Sequence, residues 1–185
     1  MPGNKLLTYT CGVLLLCLFS CHEATDYEAE ATVISETRTL KDDPAFWDYA
    51  ASSNMLQTAL GQLAIEKGTT EQVRQLGEQS VKFHVRALKR LRALMRKQKR
   101  IQLPDSLGGA DQGLVKEFQA LEGTAFDEQY RTFLITSHTT QLERYQEAVG
   151  KADDQRTQAW LLDMENHLRK QLQQLATPPD TTTAL

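Results

Sequence analysis

Four long segments of this sequence carry apolar residues at intervals of three and four, the spacing that places them on one face of an α-helix. This pattern most constrains the fold, because an apolar helix face must be buried against another element. The four stripes are Phe46, Tyr49, Ala50, Ser53, Leu56, Leu60, Leu63 and Ala64; Val73, Leu76, Ser80, Phe83, Ala87, Leu91 and Leu94; Phe126, Tyr130, Phe133, Leu134, Ser137, Gln141, Leu142, Tyr145 and Val149; and Trp160, Leu161, Met164, Leu168, Leu172 and Leu175. Aromatic residues make up only 7% of the chain, which favours helices over a β-sandwich or barrel. The sequence therefore predicts an all-α fold.

Turn and capping residues predict where the first two helices begin and end. Asp43-Pro44 places a capping side chain before a proline at the first helical position, and Gly68 ends the first helix. Thr69-x-x-Gln72 resembles a capping box that opens the second helix. That helix is expected to end near Arg100, ahead of Pro104.

The connections predict how the helices pair. A couple of residues join the first helix to the second, and a similarly short break joins the third, Thr124 to Gly150, to the fourth, so each pair should be an antiparallel hairpin. Residues 101–123 form a longer connection that can cross the bundle. A short helix within this connection is predicted from Leu114, Val115, Phe118 and Leu121. We expect a ferritin-like four-helix bundle over residues 44–176, in which a long crossover joins two antiparallel hairpins.

The N-terminal residues predict export and lipidation. Lys5 precedes an apolar run from Cys11 to Phe19, and the small residue Ser20 stands directly before Cys21. The run is shorter than the roughly 20 apolar residues of a membrane-spanning helix. The pattern is typical of a bacterial lipoprotein signal peptide, residues 1–20, cleaved between Ser20 and Cys21. An acylated Cys21 would anchor the protein in a lipid bilayer, whereas the alternatives are an uncleaved anchor or an ordinary signal peptide.

The same segment predicts where the protein is located. His22, rather than an acidic residue, follows Cys21, and by resemblance to lipoproteins of two-membrane bacteria this permits sorting to the outer membrane. We expect a lipid-anchored protein of the cell envelope, on either the periplasmic or the surface face. Residues 21–43 are rich in acidic residues and lack apolar periodicity, so they are interpreted as a flexible tether. Residues 177–185 are expected to be a disordered tail.

Three histidines occupy similar depths in three of the predicted helices. His84, His138 and His167 each lie on or beside an apolar stripe, about 20 Å from the start of their helix. Neutral imidazoles that converge near the bundle midplane could hold a single zinc, copper or nickel ion, and Gln57 lies at the same level. The alternatives are structural histidines, whose ring nitrogens contact Gln57, Ser80, Ser137, Gln141 or backbone groups, and acid–base catalysis. Glu-x-x-His pairs are missing, so a dinuclear carboxylate site is not expected.

Several short pieces of the helical pattern resemble a known family. They are Leu60-Gly61-Gln62-Leu63-Ala64, Val73 to His84, Leu103-Pro104, Phe126-Asp127-x-x-Tyr130 leading to His138, and Asn166-His167-Leu168. Their order and spacing over residues 46–176 resemble the bacterial domain of unknown function 4142 family. The resemblance implies a ferritin-like helical bundle in the cell envelope and no established reaction. Family members commonly carry an acidic residue in place of Gln57 and an aspartate in place of Phe83, and both differences count against metal binding.

The second predicted helix carries the strongest charge asymmetry in the sequence. Nine basic residues lie between Lys82 and Arg100, and no acidic residue occurs from Gln79 to Pro104. They could contact anionic lipid head groups, lipopolysaccharide phosphates or an acidic envelope protein, or they could simply solvate a surface. The candidate contact residues are Lys89, Arg92, Arg96, Lys97, Lys99 and Arg100. Nucleic acid is not an expected partner, because no aromatic platform accompanies these charges.

Motifs typical of enzymes are missing from the sequence. It contains no glycine-rich phosphate loop, no nucleophile elbow and no His-Glu-x-x-His pattern. Asp127 and Glu128 are explained as favourable charges at the start of the third helix. We therefore expect a non-enzymatic, membrane-anchored envelope lipoprotein that acts through binding or structure and has no resident cofactor. The alternative is a metal-binding or metal-handling protein that uses the midplane histidines.

Overall fold

The computed structural model describes residues 39–176 of the 185-residue chain. A short 3-10 helix, Leu40–Asp42, precedes five α-helices, and no strand occurs in this range, so the all-α prediction is confirmed. The helices are α1 (Pro44–Lys67), α2 (Glu71–Met95), α3 (Gly109–Ala120), α4 (Gly123–Val149) and α5 (Gln155–Ala176). The predicted signal peptide, the cleavage site at Ser20 and Cys21, most of the tether and the tail lie outside the described residues. None of the helices within 39–176 is long and apolar enough to cross a membrane.

The predicted start and end of α1 are confirmed. Pro44 is its first residue, and the Asp43 carboxylate accepts a hydrogen bond from the Phe46 N–H at 3.0 Å. Gly68 closes the helix with its N–H donated to the Ala64 carbonyl. Leu40, in a segment that the sequence assigned to the tether, is 2% exposed and packs into the core.

Two predicted boundaries of α2 are wrong. The residue that caps α2 is Thr70, whose hydroxyl accepts from the Val73 N–H, because the Thr69 hydroxyl is already donated to Asp127. The helix ends at Met95 rather than near Arg100. Two successive turns follow, and they return the chain to the core, where Ile101 is 7% exposed.

Contacts along the long helices show their relative directions. Asn54 contacts His84, and Gly61, further along α1, approaches Gly77, which lies earlier in α2, so these helices are antiparallel. A Cβ added at Gly77 would lie 2.6 Å from the Gly61 carbonyl oxygen, so this close approach of the two backbones requires a glycine. His138 contacts Gln171 and Tyr145 contacts Trp160, which makes α4 and α5 antiparallel as well.

The apolar core is divided into two clusters along the helices. One contains Leu40, Trp47, Ala50, Ala51, Ala87, Leu91, Met95, Ile101, Tyr145, Ala148, Trp160, Leu161, Met164 and Leu168. The other contains Leu60, Ala64, Val73, Leu76, Phe118, Phe126, Tyr130, Leu134 and Leu175. Buried polar residues separate the clusters on each long helix, for example Asn54 and Gln57 on α1 and His138 on α4. The short helix predicted between α2 and α4 is confirmed as α3, and its Phe118 anchors it in the second cluster.

Candidate metal centre

A layer of buried polar side chains lies between the two apolar clusters. Every long helix contributes to this polar layer, which consists of Asn54, Gln57, His84, His138, His167 and Gln171. His84 and His138 are 0% exposed and His167 is half-buried. Because the helices place these side chains at one level, the structure brings the three predicted histidines and Gln57 together.

The three imidazoles converge closely. One ring nitrogen from each of His84, His138 and His167 lies within 4.8 Å of the others. The ring centroids are 5.3 Å apart for His84 and His167, 6.3 Å for His84 and His138, and 6.4 Å for His138 and His167. A shared ligand would therefore need only small side-chain movements to touch all three rings.

Hydrogen bonds define which nitrogen of His84 is available. Its Nδ1 lies 2.9 Å from Oδ1 of Asn54, whose amide group is oriented by a 2.7 Å bond to the Ala50 carbonyl. An amide oxygen can only accept, so Nδ1 carries the proton and donates it. Nε2 of His84 is then a lone-pair acceptor, and it is buried with no partner in the described part of the chain.

His138 is oriented in a similar way. Its Nε2 lies 2.5 Å from Oε1 of Gln171, which assigns the proton to Nε2. Its Nδ1 keeps a lone pair that has only long contacts, 3.4 Å each, with Gln57 Nε2 and Ser137 Oγ. Metal-binding histidines commonly donate their second N–H to a carboxylate, carbonyl or water in this manner, which fixes the ring and its tautomer. The amides of Asn54 and Gln171 are thus placed as orienting groups.

Burial keeps all three rings neutral near pH 7. Desolvation lowers the pKa of His84 well below its usual value, and the neighbouring His167 and His138 lower it further. Desolvation lowers the pKa of His138 to about 4, although its bond to Gln171 opposes this. The pKa of His167 falls to about 3 through desolvation, then through His138, Lys170 and Arg86. Neutral imidazoles can bind a metal without first losing a proton.

Several polar atoms of the layer lack partners. Among residues 39–176 these include Nε2 of His84 and of His167, Oε1 of Gln57 and Nε2 of Gln171. Gln57 uses its Nε2 to donate to Ser137 Oγ at 2.9 Å, so its free carbonyl oxygen is an additional acceptor in the layer. Unsatisfied buried groups are uncommon in native proteins and often indicate a water or ion at the site.

The donors fit some metals better than others. Zinc binds imidazole at roughly 2.0 to 2.1 Å, which places two ligand nitrogens about 3.3 Å apart in tetrahedral geometry. The 4.8 Å span of the cluster would therefore shrink by about 1.5 Å on binding. Imidazole donors suit zinc, copper and nickel, whereas the absence of a carboxylate from this cluster makes it a poor site for magnesium or calcium.

Comparison with known proteins identifies the family. A model of the family described as Domain of unknown function (DUF4142) matches residues 28–177. The chain belongs to the DUF4142 family. No curated protein and no solved structure matches the chain. The family match confirms the resemblance that the sequence suggested and extends it beyond residues 46–176.

Sequence reasoning missed two members of the polar layer in this DUF4142 chain. Asn54 lies one helical turn before Gln57, and Gln171 lies one turn after His167, so helical spacing places both on the faces that carry the candidate donors. Among the predicted structural partners, Ser80 donates its hydroxyl to the Gln57 carbonyl at 3.1 Å rather than to a histidine ring. The spacing was present in the sequence, but it did not specify which amide faces which ring.

Asp127 on α4 has a different role from the one predicted. Asp127 is 7% exposed and accepts hydrogen bonds from Thr69 N, Thr69 Oγ and Thr70 N at 3.0, 2.6 and 3.1 Å. Burial raises the pKa of Asp127, but these hydrogen bonds outweigh it, so the pKa is lowered overall. The predicted role at the start of the helix was wrong, because α4 begins at Gly123 and its first turn contains no acidic residue. The Asp127 carboxylate binds the segment before α2 instead, and Glu128 is exposed.

The candidate anionic-surface residues divide between two segments. Lys89 and Arg92 lie on α2, and Arg96, Lys97, Lys99 and Arg100 follow its last residue. All six are exposed. Arg100 lies 3.8 Å from the Asp42 carboxylate, while the other five form no ion pair within residues 39–176. Their side chains are therefore available at the surface and are not shared with the polar layer.

Proposed function

We propose that this DUF4142 chain binds a single transition-metal ion, such as zinc, copper or nickel, through His84, His138 and His167. One observation carries the proposal: three neutral imidazoles from three helices have ring nitrogens within 4.8 Å of one another. Two of those rings also have an unpartnered buried Nε2. A purely structural layer would be expected to satisfy these atoms with protein groups.

The hydrogen bonds support an assignment of ligands. His84 and His167 bind through Nε2, and His138 binds through Nδ1 while its Nε2–H remains on Gln171. The free Oε1 of Gln57 is the fourth ligand or the acceptor for a metal-bound water. All of these donors are uncharged. With Gln57 in place of the acidic residue that is common in the family, no ligand neutralises the charge of the ion.

We also infer that the helices form the ferritin-like bundle that the sequence predicted. Its support is the order of contacts: Thr69, just before α2, meets Asp127 of α4, and further along both helices His84 meets His138, as expected if α2 and α4 run in the same direction. Parallel central helices require a long crossover such as the segment that contains α3. In this arrangement metal sites are built from side chains that face the bundle interior.

Metal analysis tests the binding proposal directly. The purified protein is stripped with a chelator, loaded separately with zinc, copper and nickel, dialysed and analysed for bound metal. We expect one equivalent of at least one metal in the wild type and loss of that equivalent in His84→Gln/His138→Gln/His167→Gln, because glutamine keeps polar character but not the imidazole donor.

The matched control is His22→Gln, which removes the chain's remaining histidine. Retention of one equivalent in this control would assign the metal to the buried layer. Equal metal content in the wild type and the triple variant, or no retained metal with any of the three ions, would show that the three histidines are structural. Circular dichroism of each variant establishes that its helices are intact before the metal contents are compared.

A second proposal concerns location and rests on Ser20-Cys21. We propose that the protein is an envelope lipoprotein anchored through acylated Cys21, in which the helical domain acts by binding rather than catalysis. Labelled palmitate should enter the wild-type protein in a bacterial host and should not enter Cys21→Ala. A Cys17→Ala control should label normally. Absence of label from the wild-type protein would contradict the proposed lipid anchor.

A further inference from the structure

A cleft lies between α2 and α5 on the outer side of the polar layer. Its volume is about 450 Å³, which is within the usual range for small-molecule sites. Phe83 and Trp160 contribute apolar lining, and Phe83 stacks on His167 with ring centroids 3.6 Å apart. The cleft thus has an apolar inner surface built from buried and half-buried rings.

Three cationic side chains and one anionic side chain surround this inner surface. Arg86 and Arg90 come from α2, and Asp163 and Lys170 come from α5. Arg90 forms an ion pair with Asp163, which neutralises both. Arg86 and Lys170 have no acidic partner within residues 39–176, and Arg86 uses only its Nε to donate to the Lys82 carbonyl at 3.0 Å. Two helices therefore present one unneutralised cation each to the same cleft.

This combination selects a particular class of ligand. An inorganic anion would use the cations but not the apolar lining, and a neutral apolar molecule would leave both cations unused. We propose that the cleft between α2 and α5 binds a small organic carboxylate, with its carboxylate at Arg86 and Lys170 and its apolar body against Phe83 and Trp160. Charge-assisted hydrogen bonds from these cations fix the orientation, and the rings supply contact area.

The proposal is independent of metal binding. The carboxylate is held by Arg86 and Lys170, and neither is an assigned metal ligand, although His167 also lines the cleft. Binding is therefore expected in the presence of a chelator, and it is not lost if the histidines prove to be structural.

Titration of the full-length protein with benzoate tests this inference. Tryptophan fluorescence and NMR chemical shifts are followed at constant ionic strength, with benzamide as the uncharged analogue and acetate as the carboxylate without an apolar body. We expect saturable benzoate binding that is at least tenfold tighter than that of either analogue. Arg86→Gln/Lys170→Gln should weaken benzoate binding by about tenfold or more, because glutamine removes the charge that strengthens each hydrogen bond to the carboxylate.

The matched control is Lys89→Gln/Arg92→Gln, which removes the same total charge but from two α2 residues that do not line this cleft. It should bind benzoate as the wild type does. Equal affinity for benzoate and benzamide, or equal weakening in the control and the cleft variant, would overturn the proposal. Benzoate binding that requires added zinc and persists without both cations would also overturn it, because the metal rather than the cleft would then hold the carboxylate.

Discussion

The two tryptophans and the three histidines are buried in neighbouring regions of the same bundle, yet their polar atoms differ in how fully they are satisfied. Trp47 and Trp160 lie with ring centroids 6.2 Å apart, and their indole N–H groups donate to the carbonyls of Leu40 and Ala87 at 2.8 and 3.0 Å. In the polar layer, Nε2 of His84 and of His167 have no partner within the described residues. The polar atoms of the two indoles are therefore satisfied, whereas these two imidazole nitrogens are not.

This difference has an energetic consequence. A buried polar atom without a partner costs about 1 to 3 kcal/mol relative to its hydration in the unfolded chain. Apolar residues at the same positions would remove that cost. The unsatisfied atoms of the polar layer therefore favour a bound ligand, because an ion would accept the free lone pairs.

Removing a tryptophan should have the largest effect on stability. Trp47→Ala deletes a side chain that is 0% exposed and leaves the Leu40 carbonyl without its donor, so the free energy of unfolding should fall by about 3 to 5 kcal/mol. Chemical denaturation measures the change. The control Leu162→Ala, at a residue 41% exposed, should lower stability by less than about 1 kcal/mol. A decrease of less than about 1 kcal/mol in the free energy of unfolding of Trp47→Ala would show that the tryptophan region contributes little to stability.

Acid should destabilise the polar layer but not the tryptophan region. The pKa of His138 is about 4 in the folded state and about 6.5 when unfolded, so between these values the unfolded chain binds more protons and stability falls as pH falls. For this histidine the loss between pH 7 and pH 5 should be about 2 kcal/mol. Denaturation in chelator at both pH values measures it.

His138→Gln provides the comparison for the acid effect. It removes one titrating group from the polar layer, so its own loss of stability over the same pH range should be smaller than that of the wild type by about 2 kcal/mol. The aspartates with lowered pKa, Asp127 and Asp154, titrate below this range. Identical pH dependence in the two proteins would show that His138 is not held neutral by burial.

The helices could be predicted from the sequence because their signals are local. Asp43-Pro44 and Gly68 specify the ends of α1 through backbone chemistry within one turn, and the apolar spacing identifies every long helix. Trp47 was left out of the predicted stripe, although it is fully buried. Its neighbour Phe46 fits the spacing equally well, and only the position of the Leu40 carbonyl and Trp160 decides that the indole turns inward.

The sequence predicted the depth of the candidate site along the helices but not the hydrogen bonds within it. Equal depth placed His84, His138 and His167 together, because rise per residue is the same in every helix. The orienting roles of Asn54 and Gln171 depend on side-chain contacts between helices, which periodicity does not specify. The same limit explains Asp127, whose partners Thr69 and Thr70 lie 58 and 57 residues away in sequence.

Substitution of Asp127 tests a buried polar side chain that, unlike the histidines of the polar layer, has hydrogen-bond partners for its polar atoms. Asp127→Asn keeps the shape but removes the charge and one acceptor oxygen, so Thr69 and Thr70 lose part of their hydrogen bonding. We expect a loss of about 1 to 2 kcal/mol, the usual contribution of a helix cap. Glu128→Gln, exposed in the same turn, should change stability by less than about 0.5 kcal/mol. Equal effects at both positions would mean that general charge, not this contact, stabilises the start of α2.

The basic residues of the α2 surface should have the smallest effect on stability. Lys89→Gln/Arg92→Gln/Arg96→Gln changes three exposed side chains that form no ion pair within residues 39–176, so the free energy of unfolding should change by less than about 0.5 kcal/mol. If this surface contacts anionic head groups, the same variant should lose retention on phosphatidylglycerol vesicles, and raised salt should release the wild type because it screens exposed charges. Salt-independent retention of both proteins would show that these basic residues do not contact the membrane. Lost retention with unchanged stability would show that stability and surface binding are separate properties of α2, whose inner face packs the core while its outer face remains solvated.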